Sequence, residues 1–158
     1  MRIDLRSDRK LYHALYSDVV AVDGRVYKLF KKFGQSSFDD RAATIFEAQC
    51  HAYEHAGRDS FLKSHVPEFF GICPIEAVVD EEGVDVSQRY SLEACYAIDE
   101  ITGPEKRVND EYVLLHCPHV DQIRKRFQNI SIDTGDASVF SYDDAKGFKL
   151  IDFTSANF

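Results

Sequence analysis

The residues with the clearest chemical potential are carboxylates near the end of the chain. In Lys149-Leu150-Ile151-Asp152-Phe153-Thr154 an apolar run delivers an aspartate, and a carboxylate closing a buried strand offers a hard anionic oxygen to a cation such as Mg²⁺. Asp133 lies upstream in Ser131-Ile132-Asp133-Thr134-Gly135-Asp136-Ala137-Ser138-Val139-Phe140. Between the two aspartates the pattern reads as a β-hairpin turning through Asp143-Asp144-Ala145-Lys146-Gly147, so the carboxylates flank one hairpin. Asp133 also has a plainer reading, because Asp-Thr-Gly-Asp is good turn chemistry. Toward the other end, Lys28 and Glu47 stand nineteen positions apart.

The elements that must position these groups follow from periodicity. Arg25-Val26-Tyr27-Lys28-Leu29-Phe30 alternates like a half-buried strand and holds Lys28 on one face. Phe38 to Gly57 reads as a helix, with Phe38, Ala42, Ile45, Phe46, Gln49 and Tyr53 near helical spacing and Glu47 close to its middle. Strands near 10–16, 18–23 and 25–31 form a meander with turns at Ser17-Asp18 and Asp23-Gly24. Val66-Pro67-Glu68-Phe69-Phe70-Gly71 breaks the chain, and strands near 72–80 and 90–101 join through Asp80-Glu81-Glu82-Gly83. The expected class is α+β, a five-stranded antiparallel sheet with one helix. From Pro104 onward the pattern turns helical, with Val120, Ile123 and Phe127 as an apolar stripe before a strand at 130–132 and the final hairpin.

In this order and spacing the chain resembles the protein-kinase-like superfamily over nearly its whole length. The resemblance implies one minimal domain over 1–158, with an N-lobe over 1–101 and a strongly reduced helical C-lobe over 102–158 that ends just after the Asp-Phe pair. It implies that Lys28 grips the α and β phosphates of ATP and that Glu47, from the following helix, holds Lys28 in place. Tyr96-Ala97-Ile98-Asp99-Glu100-Ile101-Thr102-Gly103-Pro104-Glu105 is similar to the kinase hinge. Ile98 is then the gatekeeper, the backbones of Asp99 and Ile101 contact adenine, and Glu105 partners the ribose. Val26 and Phe140 are further implied nucleotide contacts, Asp133 corresponds to the catalytic-loop base, and Asp152 is the Mg²⁺ ligand.

Departures from the family pattern carry their own expectations. Ser131-Ile132-Asp133 replaces His-Arg-Asp, so the arginine that senses activation-loop phosphorylation is missing. Ser138 stands where the family places a metal-binding asparagine; a hydroxyl is a poorer Mg²⁺ ligand, and Asp136 is an alternative donor. Tyr12-His13-Ala14-Leu15-Tyr16-Ser17-Asp18-Val19 aligns with the glycine-rich loop, with Tyr12, Ala14 and Ser17 at the glycine positions and Val19 over adenine. Side chains there obstruct the close approach of backbone N–H groups to phosphate, so modest nucleotide affinity is expected. The sequence ends at Phe158 without an activation loop or substrate-binding helices. The expectation is therefore an effector-like Ser/Thr protein kinase completed by a partner protein. A pseudokinase binding module is the main alternative, and a small-molecule phosphotransferase is a third.

Composition bounds these classes. A hydrophobic share of 44% and aromatic share of 13% argue against disorder. A formal charge of −8 disfavours nucleic acid or an anionic membrane as main partner and suits a protein partner. Cys50, Cys73, Cys95 and Cys117 are widely spaced and read as reduced core residues of a cytosolic compartment. The expected location is the cytoplasm, or a host cytosol reached by specialised secretion, since no Sec signal or transmembrane stretch is visible. His51 and His55, and the group His116-Cys117-Pro118-His119, have no recognised zinc pattern, so no structural metal is expected. Arg124-Lys125-Arg126 reads as a solvated helix face.

Overall fold

The computed structural model describes residues 1–101, 105–107, 111–117, 119–132, 139–143 and 147–152; within its elements the side chains at 12, 105–107, 112, 114, 116, 139–143, 147–148 and 151–152 are not described. In chain order the elements are β1 (Arg2–Asp4), β2 (Arg9–His13), β3 (Ser17–Val22), β4 (Arg25–Lys31), α1 (Ser36–Arg58), α2 (Ser60–Lys63), β5 (Phe69–Ile72), β6 (Ala77–Val79), β7 (Tyr90–Asp99), β8 (Glu105–Arg107), α3 (Glu111–His116), α4 (Val120–Gln128), β9 (Val139–Asp143) and β10 (Gly147–Asp152). They fall into two units, the first of residues 1–50 and 69–100, the second of 51–68 and 101–158.

The first unit is built on an antiparallel five-stranded sheet in the order β2-β3-β4-β7-β5. Its tightest connection is Asp23-Gly24, where φ is 51° and 80°. Two consecutive left-handed residues give the hairpin turn whose twist matches its strands, and glycine adopts that conformation without a Cβ penalty. The sheet has two apolar faces because inward residues alternate on every strand. On one face Val20, Tyr27, Leu29, Cys95 and Ala97 pack with Ile3, Leu5, Val78 and Val86 in one buried cluster. The strands that supply Ile3 and Val78, β1 and β6, pair in parallel as a separate two-stranded ribbon. On the other face Phe30 and Tyr96 meet Phe46 of α1, with ring centroids 5.4 and 6.4 Å away.

Within the first unit, two stretches differ from the sequence expectation. The expected 72–80 strand is split, and the fifth strand of the sheet is Phe69–Ile72, whose first three residues lie in the segment read as a break. Gly71 sits at φ 95° beside a register shift, and past Ile72 the Cys73 and Ile75 N–H groups still donate to β7, at the Cys95 and Leu92 carbonyls. Beyond Ile75 the chain leaves the sheet, and Ala77–Val79 pairs with β1. The first turn also differs: Ser17 and Asp18 begin β3, and the bend lies at Ala14–Tyr16.

In the second unit the C-terminal part of α1 contributes buried Tyr53 and Ala56, and α4 buries Val120, Ile123 and Phe127. Asp59 caps α2 by accepting from the N–H groups of Phe61 and Leu62, and takes Arg126 at 3.1 Å. Of the expected solvated run, Lys125 and Arg126 are exposed, with Arg126 also lying over the Phe61 ring at 5.1 Å. The expected hairpin forms: β9 and β10 pair antiparallel. The segment after Pro104 opens not with helix but with β8, which pairs with β9 to make a three-stranded sheet, and 130–132 is turn and coil rather than strand. The N–H of Leu150 donates to the carbonyl of His65 at 2.8 Å, and Lys149 Nζ donates to the Ser64 carbonyl at 2.6 Å.

Among the described residues no helix is long and apolar enough to cross a membrane. All four cysteines are free thiols; Cys50, Cys95 and Cys117 are buried and Cys73 is half-buried.

Candidate functional site

Register fixes which of the expected nucleotide residues share a surface. Val19 pairs with Lys28 across β3 and β4, Val26 with Ile98 across β4 and β7, and Lys28 with Tyr96. Residues directly opposite in a ladder point to the same face, and so do alternate residues along a strand. Ser17, Val19, Val26, Lys28 and Ile98 therefore lie together on the face that carries Phe30 and Tyr96, the face covered in part by α1. Val26, Ile98 and Ser17 are buried, whereas Val19 and Lys28 are half-buried. Lys28 Nζ stands 5.7 Å from the centre of the Phe30 ring, within range of a cation–π attraction.

The helix presents a different residue to this face than expected. Gln49 is 3% exposed, and its Oε1 accepts a hydrogen bond from the Tyr96 hydroxyl at 2.8 Å. Glu47 is exposed, and among the described residues it forms no ion pair with Lys28. The cause is helix geometry: two positions at about 100° each put Glu47 roughly 160° around the axis from Gln49. Packing of Phe46 on Phe30 and Tyr96 sets that phase.

At the β2–β3 connection the half-buried Ala14 donates its N–H to the Ser17 carbonyl at 2.9 Å, and its own carbonyl accepts from Lys31 Nζ. Leu15 at the tip is 64% exposed. Behind this loop, on the opposite sheet face, lies a group the sequence reading passed over. Asp18 is buried, accepting from the Tyr90 hydroxyl at 2.5 Å, with His13 Nδ1 at 2.5 Å, Lys31 Nζ at 3.7 Å and Lys10 Nζ at 3.8 Å. Burial first, then the bond to Asp18, pushes the Tyr90 hydroxyl well above its ordinary value. The available signal was an aspartate at the inward parity of Val20, inside the run Ser17–Val22, where a charge requires partners.

At the end of β7, Asp99 lies opposite Arg25 in the ladder, the Glu100 N–H donates to the Gly24 carbonyl at 3.2 Å, and Arg9 forms an ion pair with Glu100 at 3.0 Å. Ile101 follows, half-buried. In the second unit Glu105 lies on β8 opposite Ser141, Phe140 lies on β9 opposite Leu150, and Asp152 closes β10 opposite Val139, beyond a register shift after Leu150. Asp133, Asp136 and Ser138 lie outside the described residues. Among the described residues no three His, Cys, Asp or Glu side chains come together as metal ligands.

His65 and His119 approach to 5.7 Å between ring centres, each near the Phe61 ring. Burial of His65, then the neighbouring His119 and Lys149, holds its pKa below the usual 6.5. Compared with known proteins, the chain matches no family model, no curated protein and no solved structure.

Proposed function

We propose that the chain is a minimal, atypical Ser/Thr protein kinase of the protein-kinase-like type, transferring the γ-phosphate of ATP to a protein. The observation that carries the proposal is the shared face in the first unit. Val19, Val26, Lys28 and Ile98, assigned independently from the resemblance, fall on one side of the sheet by register, and the helix following the lysine strand packs on that side. A surface-lysine reading of Lys28 has no reason to group it with those three residues.

In the proposed mechanism Lys28 binds the α and β phosphates, while the backbones of Asp99 and Ile101 hold adenine beside Ile98, Val19 and Val26. Phe140 and Glu105 add contacts to base and ribose. Asp133 accepts the proton of the substrate hydroxyl as its oxygen bonds to the γ phosphorus and the bond to the β–γ bridging oxygen breaks, releasing ADP. Asp152, with Asp136 or Ser138, would hold Mg²⁺, which when bound neutralises triphosphate charge. Most of the rate enhancement is positioning and charge stabilisation.

One observation favours a second reading, a pseudokinase that binds a protein partner without catalysis. The Ala14 amide is already committed to the Ser17 carbonyl, and Lys31 holds the Ala14 carbonyl, so this loop has one fewer free N–H for phosphate. The test is Mg²⁺-dependent transfer of labelled γ-phosphate to the chain itself and to proteins of a cell lysate, with Lys28→Ala and Asp152→Ala alongside. Labelling that both substitutions abolish supports the kinase. Absence of labelling together with absence of a thermal shift from Mg-ATP rejects it in favour of the binding module.

A further inference from the structure

We propose that the hydrogen bond from Tyr96 to Gln49, rather than an ion pair from Glu47, holds α1 on the Lys28 face, which makes Gln49 and Tyr96 positioning residues for Lys28. The inference rests on the phosphotransferase reading for its functional consequence, but the tether itself stands on geometry alone.

Gln49 is a buried polar side chain in the middle of an apolar contact, an arrangement that persists only when its hydrogen bonds are made. Its acceptor is satisfied by the Tyr96 hydroxyl at 2.8 Å in a buried setting. Tyr96 is the cross-strand partner of Lys28, so the same ring that reaches the helix flanks the lysine. Around this bond Phe30, Phe46 and Phe69 pack on Tyr96 with centroids 5.8 to 6.4 Å away, fixing its ring plane. Glu47 points about 160° away from Gln49 and is exposed.

The consequence is regulatory. A lysine–glutamate pair is an electrostatic latch, weakened by salt and by acid. A carboxamide does not titrate, and its bond to a phenol is a neutral one, so this tether of α1 to the sheet carries no ionic contribution. The tether itself is thereby insensitive to physiological pH and salt, which fits a chain lacking the arginine beside Asp133.

The experiment uses the full chain as wild type, Tyr96→Phe, Gln49→Glu and Glu47→Ala, with amide hydrogen exchange over residues 45–52, Mg-ATP binding and phosphate transfer as readouts. Tyr96→Phe keeps the ring and removes the donor; exchange across 45–52 is expected to rise about tenfold and Mg-ATP binding to weaken about tenfold, in line with a buried acceptor left unsatisfied. Gln49→Glu retains an acceptor for Tyr96 but places a titratable carboxylate on the Lys28 face. Binding is then expected to gain salt dependence and an acidic limb between pH 4 and 7 that the wild type lacks, a change that loss of packing alone does not produce. Losses in Glu47→Ala equal to or larger than those in Tyr96→Phe overturn the proposal, as does a Gln49→Glu pH profile identical to wild type. If the wild type neither binds Mg-ATP nor transfers phosphate, the phosphotransferase reading fails by itself. The exchange arm then decides the tether: faster exchange in Tyr96→Phe but not Glu47→Ala upholds it, and any other pattern refutes it.

Discussion

Replacing Tyr90 by Phe removes one hydroxyl from the buried Asp18 cluster and leaves the ring in place. That hydroxyl donates to Asp18 Oδ2 at 2.5 Å, and the Asp18 side chain is 3% exposed. The remaining partners are His13 Nδ1 at 2.5 Å on the other oxygen and two lysine ammoniums at 3.7 and 3.8 Å, beyond hydrogen-bond distance. A carboxylate left buried with one charge-assisted bond missing loses about 1.5–3 kcal/mol. The cavity contribution is small because only an oxygen is deleted. Taking about 2 kcal/mol and a urea slope of about 2 kcal/mol/M, the unfolding midpoint of the first unit falls by about 1 M. Asp18→Asn measures the other side: Lys31, whose side chain is 16% exposed, loses its carboxylate.

The assay is urea denaturation followed by tyrosine fluorescence and circular dichroism for wild type, each single variant and the double variant. A coupling energy of at least about 1 kcal/mol is expected between the two positions. Alkaline titration supplies an independent check. The folded Tyr90 pKa is raised above the ordinary 10.0, by burial first and then Asp18. The retained proton therefore stabilises the fold below pH 10, and that stability is lost as pH rises past it. Tyr90→Phe removes this alkaline loss. A midpoint shift under about 0.25 M urea with coupling near zero refutes the view that Tyr90 holds the carboxylate.

Two further predictions concern titratable groups. His65 has a lowered pKa, so its neutral form is favoured in the folded second unit; the unfolded chain takes the proton first as pH drops below 6.5, and stability falls with it. Hydrogen exchange at Leu150, whose N–H bonds to the His65 carbonyl, is expected to accelerate from pH 7 to pH 5 after correction for intrinsic rates, and His65→Gln flattens the response. Burial first pushes the Cys95 thiol up to about 12, and Cys73 is the one thiol that is not fully buried. A maleimide at neutral pH is expected to modify Cys73 before the other three, and preferential labelling of Cys95 by peptide mapping contradicts the packing described.

Much of the local structure was legible without coordinates. Alternation in Arg25–Lys31, the Asp23-Gly24 turn, the long helix and the β9–β10 hairpin all follow from side-chain period and turn chemistry, which act over a few residues. The phase of α1 was partly legible as well: helical spacing already put Gln49 with Phe46 and Tyr53, and Glu47 two positions off that stripe. Asp18 escaped notice because an aspartate after serine is usually turn chemistry, and its partners come from β2, β4 and β7.

The sequence by itself determined an α+β chain, its strand-rich beginning and its central helix, and it supplied the lysine and aspartates on which the proposed phosphoryl transfer rests. Tertiary structure decided that Phe69–Ile72 is the fifth strand, that Ala77–Val79 joins β1, and that Gln49 rather than Glu47 meets Tyr96 on the Lys28 face. The physical reason is range. Propensity and periodicity are settled between near neighbours, whereas strand pairing and helix phase depend on which distant apolar surfaces can be buried together.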